Sequence, residues 1–175
     1  MMAGSIHVSA HIEGMDEVLK RFRDPRVQAI AKKHMTDALI AVEGPAKLKA
    51  PVGVSGELRS QITHEVRPIG GDMEGVVGSP TIYAPHVEFG TGTQSDQPSG
   101  KGRHWPPAAA LEVWAQRHGV KGGGKAVAYY IGRRGGLKPR KFLRGAWEET
   151  ESRVIQHLER IVEDVRDFLR GGRLP

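Results

Sequence analysis

The chain has 175 residues, 26 Lys and Arg against 20 Asp and Glu, a formal net charge of +6 and no cysteine. That length suits one domain with its own core, and the lack of thiols excludes a disulfide scaffold or a thiolate metal site. No apolar run reaches the length that spans a bilayer. The first residues do not read as a secretion signal, and Gly4 is not placed for myristoylation, so the expectation is synthesis in the cytoplasm with no membrane partner. The basic balance suits a nucleic-acid or acidic protein neighbour as well as plain solubility. An aromatic content of 6% argues against a surface that stacks single-stranded bases.

In chain order, Ile6, Val8, Ala10 and Ile12 alternate with polar residues and predict a first strand. His7 and His11 lie on its other face, too far apart to hold one ion alone. Asp16 can cap a short helix with Val18, Leu19 and Phe22. Asp24-Pro25 is a stronger helix start. From there Val27, Ile30, Ala31, His34, Met35, Ala38, Leu39 and Val42 fall at helical spacing. Gly44-Pro45 should kink or interrupt this helix, with one more turn over Lys47 to Lys49. After a turn at Gly53 to Gly56, residues Leu58 to Arg67 read as a strand with Ile62, His64 and Val66 on one face. A loop at Pro68, Gly70 and Gly71 leads to a strand over Met73 to Gly78.

Thr81 to Thr93 then alternates again, and predicts a strand with Tyr83, Val87 and Phe89 on one face. Pro85 cannot donate a ladder hydrogen bond, so this is an edge strand or its first part is irregular. The three strands would form an antiparallel meander covered by the long helices. Residues 91–104 lack periodicity and are expected to be a mobile loop that orders against another subunit. Trp105-Pro106-Pro107 opens a helix to about His118 with Ala108, Leu111, Trp114 and Ala115 on one stripe. A Gly-rich link at about 119–125 follows, then a short helix over Ala126 to Ile131. Leu143 to Arg170 is a long amphipathic helix with a stripe of Trp147, Val154, Leu158, Ile161, Val165 and Phe168, widened by Ile155, Val162 and Leu169. It spans about 26 residues, or roughly 39 Å. The sum is one α+β domain, residues 1–175: a small antiparallel β-sheet packed against a kinked N-terminal helix and a long C-terminal helix.

Little of this carries catalytic chemistry. Gly119 through Lys125 fits Gly-x4-Gly-Lys, but the next residue is Ala126 where a phosphate-binding loop needs Ser or Thr, and a helix precedes it instead of a strand. His86 and Glu88 could begin a metal or acid–base site, yet no third ligand is spaced to join them; His104 and His118 would meet them only through folding. No nucleophile elbow is present. The expectation is therefore no enzyme, no catalytic or metal residues and no cofactor. Arg133, Arg134, Lys138, Arg140, Lys141 and Arg144 form a basic cluster with no intervening acid. It could face DNA in a channel, face an acidic neighbouring ring, or be a solvated loop. Its position before the last helix opposes the helix dipole, so helix stability does not explain it.

Three motifs in order resemble the tail-completion or head–tail connector (neck) proteins of long-tailed, siphovirus-type bacteriophages. The first is Pro51, Val52, Gly56, Leu58, Arg59 and Ile62, with Ser55 where the family often has Thr. The second is Tyr83, Ala84, Glu88, Gly90 and Thr91. The third is Pro139, Phe142, Leu143 and Ala146, where Lys141 adds a residue to the family pattern. The resemblance implies a structural virion protein, assembled in the host bacterial cytoplasm, that forms a homo-oligomeric ring (hexamer or dodecamer) at the head–tail junction. Its implied partners are neighbouring connector, tail-terminator or tail-tube proteins, and genomic DNA passing through the lumen. Tyr83, Ala84, Glu88, Phe89, Gly90 and Thr91 would then hold a sheet edge or subunit contact, and the basic cluster would meet DNA or an adjacent ring. The alternative is a small basic protein that binds double-stranded DNA.

Overall fold

The computed structural model describes residues 8–10, 25–69, 72–97 and 102–170. The predicted short helix at Val18 to Phe22 lies outside them. The architecture is α+β, as the patterning implies. Its elements are β1 (Val8–Ala10), α1 (Pro25–Lys49), α2 (Glu57–Ser60), β2 (Thr63–Ile69), β3 (Asp72–Gly78), α3 (Ala84–Phe89), a 3-10 turn (Gly92–Gln94), α4 (Ala108–Arg117), α5 (Gly123–Arg133) and α6 (Phe142–Leu169).

The sheet is antiparallel in the order β1-β3-β2. Its third strand is therefore the N-terminal β1, paired Val8 to Val77, and not residues 81–89. On β2, Val66 is half-buried while Thr63 and Glu65 are exposed, the alternation expected of a strand with one covered face. The strand begins later than predicted. Residues 57–60 form a helical turn instead, entered through Gly56 at φ +69°. Leu58 points inward from that turn and is buried. A run this short fits both periods, and the left-handed glycine decides for the turn.

Helix α1 runs through Pro45 to Lys49 without interruption. Proline lacks the amide that would bond the carbonyl one turn back, but burial of Val42, Ala46 and Ala50 on the same stripe keeps the last turn in place. Helix α6 has the predicted extent. Its stripe goes mainly onto α1: Ile161 and Val165 join Val27, Ile30, Ala31 and Met35 in one apolar cluster. A second cluster joins Phe142, Leu143, Ala146 and Val154 to Ala38, Leu39, Val42 and Ala46. Ile155 and Val162, expected to widen the stripe, are about half exposed. The sheet touches this helical pair through β3, where a Cβ added at Gly75 would stand 3.0 Å from the Leu39 side chain. The His64 ring bonds the Glu43 carboxylate of α1, which also pairs with Lys47. Burial raises the Glu43 pKa, but its bonds to Lys47 and His64 outweigh that and leave it lowered.

Candidate functional site

The motif at 81–93 is the largest departure from expectation. Residues 84–89 are a helix, and none of Tyr83, Ala84, Glu88, Phe89, Gly90 or Thr91 lies in the sheet. Pro85 sits in the first helical turn, where its missing N–H costs nothing. The Val87 amide bonds the Tyr83 carbonyl at 3.1 Å. Alternation over so few residues could not separate strand from helix, and the proline that seemed to mark an edge marks a helix start.

The motif folds against the segment that leads into α6. The Arg140 amide bonds the Val87 carbonyl at 2.8 Å, Lys141 bonds Glu88 at 3.1 Å, and the Thr91 amide bonds the Leu137 carbonyl at 2.9 Å. The Thr91 hydroxyl accepts from the Leu137 amide at 2.9 Å, and the Thr93 and His104 amides both bond the Gly135 carbonyl. The two feet of the expected mobile loop are thus tied down; residues 98–101 lie outside the described chain. The backbones approach so closely that a Cβ on Gly136 would fall 1.9 Å from the Thr91 carbonyl oxygen, and one on Gly90 would fall 2.6 Å from the Leu137 oxygen. Only glycine permits this seam.

At its centre is Glu88, 1% exposed. One carboxylate oxygen accepts the Leu143 amide at 2.9 Å and the other accepts the Arg144 amide at 2.9 Å. Both amides belong to the first turn of α6, which has no capping side chain of its own; Lys141 precedes it at φ +50°. A carboxylate from 55 residues upstream therefore caps the long helix and compensates its dipole. The residue that Lys141 adds to the family pattern takes the left-handed turn. Each oxygen of Glu88 is thus engaged by a backbone amide, which gives the carboxylate a structural task. The sequence carried one signal of this arrangement: a long helix entered through Arg-Lys with no Ser, Thr, Asp or Asn at its start.

His86 is exposed on α3, and its ring centroid lies 6.0 Å from that of His104. Burial, with the neighbouring His86 adding to it, lowers the His104 pKa. His118 instead stacks on Trp114 at 4.0 Å. Tyr83 has its pKa raised by burial first and then by the Glu57 carboxylate, which places the start of α3 beside α2. The preceding Ile82 is 77% exposed.

The basic cluster divides in two. Asp96, distant in sequence, pairs with Arg144 at 2.8 Å and Lys141 at 3.6 Å, so the cluster has an acid in space that the local sequence hides. Arg133, Arg134, Lys138 and Arg140 remain: Arg133 lies over the Tyr129 ring at 5.9 Å, while Arg134, Lys138 and Arg140 line an open groove with Gln94, Tyr130 and Leu137. Arg134 lies over the Tyr130 ring at 4.2 Å. Among the described residues no ion pair to a carboxylate is formed by any of these four.

The expected Gly-rich link is partly helix. Helix α5 begins at Gly123 and passes Gly132. The Glu112 carboxylate of α4 accepts the Gly124 amide at 2.7 Å and so caps α5. A Cβ on Gly124 would meet the Ala108 carbonyl at 2.1 Å, and one on Gly132 would overlap the Trp105 ring. Here glycines mark close packing of α4, α5 and Trp105. Lys125 lies exposed in a helix that follows another helix, which removes the setting a phosphate loop needs.

Compared with known proteins, residues 11–90 match the family model HK97-gp10_like, described as "Bacteriophage HK97-gp10, putative tail-component". No curated protein and no solved structure matches the chain.

Proposed function

We propose, from the match of residues 11–90 to the HK97-gp10-like model of phage tail components, that the chain is a structural protein of a tailed-phage virion that forms a ring at the head–tail junction around the DNA path. The family match carries this reading. It implies assembly with other phage structural proteins and a place in the virion. The motif at 83–91 supports an assembly role over a catalytic one, because its acid caps a helix and its glycines seal a seam. No helix among the described residues is long and apolar enough to cross a membrane.

Two exposed surfaces suit contacts between subunits or rings. Ile82 and Tyr83 stand at the entry to α3, Trp105 stands before α4, and Tyr129 and Tyr130 stand on α5, each at least 40% exposed. The groove of Arg134, Lys138 and Arg140 suits a polyanion, either passing DNA or an acidic rim on the next ring. Immunogold microscopy of purified virions carrying a tagged chain tests the reading. Label at the head–tail junction is expected; virions without label would overturn it. Replacing Arg134, Lys138 and Arg140 with glutamine separates the two uses of the groove. A DNA contact predicts assembled particles that deliver DNA poorly, and a protein contact predicts failed joining.

A further inference from the structure

We propose that His34, Asp37 and His157 form a site for a divalent transition metal of the zinc type, clipping α1 to α6. One ligand atom from each residue lies within 4.8 Å of the others. His34 and Asp37 are three apart on α1 and so share a face; His157 comes from α6.

Two observations give the cluster a ligand's logic. The Nδ1 atoms of His34 and His157 are both buried and without a hydrogen-bond partner. Buried polar atoms left unpaired are rare because each forfeits its hydration. The other nitrogen of His34, Nε2, lies 2.6 Å from the Asp164 carboxylate. That bond fixes the neutral ring as the Nε2–H tautomer and leaves the Nδ1 lone pair bare, the carboxylate–histidine arrangement that holds metal-binding imidazoles. His34 is itself only 6% exposed.

The position fits as well. On α1 one apolar cluster ends at Met35 and the other begins at Ala38; on α6 one ends at Val154 and the other begins at Ile161. The three residues stand where the two clusters meet, beside Leu158, which packs against both. Two imidazoles and one carboxylate select zinc, nickel or cobalt over calcium or magnesium, which prefer all-oxygen sets. Ligand atoms sharing a tetrahedral zinc stand roughly 3.3 Å apart, so small side-chain rotations would complete three positions and leave the fourth to water.

Zinc added to chelator-stripped, full-length protein tests the site. One zinc per chain should remain after gel filtration, and the melting temperature should rise by about 5–10 °C at a hundredfold excess over Kd. His157→Asn and Asp37→Asn, both at half-buried positions, should lose the bound zinc and the rise, while His118→Asn keeps both. The proposal is overturned if the wild type neither retains zinc nor gains stability. It is equally overturned if His157→Asn and Asp37→Asn bind zinc as the wild type does.

Discussion

Helix α6 is held at its two ends by different chemistry. Beyond Val154 it lies on α1 through Ile161 and Val165, an apolar stripe in which each side chain adds its own share. At Phe142 to Arg144 amides, close-set glycines and one buried carboxylate are added to the apolar burial of Phe142 and Leu143. The first kind of contact degrades in steps. The second depends on complete satisfaction, because a buried donor that loses its acceptor bears the full cost of its desolvation. One helix thus has a tolerant half and an intolerant half.

Substitutions at each end make that contrast measurable. Glu88→Ala should have the largest effect, about 4 kcal/mol by urea unfolding, since it strands two amides in a buried place and removes the charge facing the helix dipole. A loss below about 1 kcal/mol would erase the distinction between the two ends. At the apolar end, Ile161→Ala should cost about 3 kcal/mol and Ile161→Val about 1 kcal/mol, a graded pair; equal losses would show that this end too is all-or-none. Asp96→Asn should matter least, at most about 1 kcal/mol, because its pairs with Arg144 and Lys141 are partly exposed. That loss should shrink further in high salt.

The tolerant end was the legible one. A stripe recurring at helical spacing over more than twenty residues leaves no competing period, so α6 could be read with its limits; α1 could be read apart from the break expected at Gly44-Pro45, and so could the hairpin strand β3. The seam was not legible. It joins Glu88 to amides at 143 and 144, and backbone pairing carries no side-chain pattern to read. Residues 84–89 were too few for alternation to separate strand from helix. Asp96 lies outside the basic run whose charges it balances. The glycines of about 119–125 look like a flexible link in sequence, whereas in space Gly124 is small because the Ala108 carbonyl leaves no room. His34 and Asp37 read as ordinary members of a helix, and nothing near them points to His157.

The seam also bears on what the matched segment is. Residues 11–90 end two positions after Glu88, while the amides that Glu88 caps come more than fifty residues later. During synthesis the matched segment leaves the ribosome with its carboxylate still hydrated and the apolar stripe of α1 uncovered, until the last helix arrives. The recognisable portion of this chain is therefore a half-template. A truncation drawn at residue 90 would yield a sticky intermediate in place of a miniature of the protein.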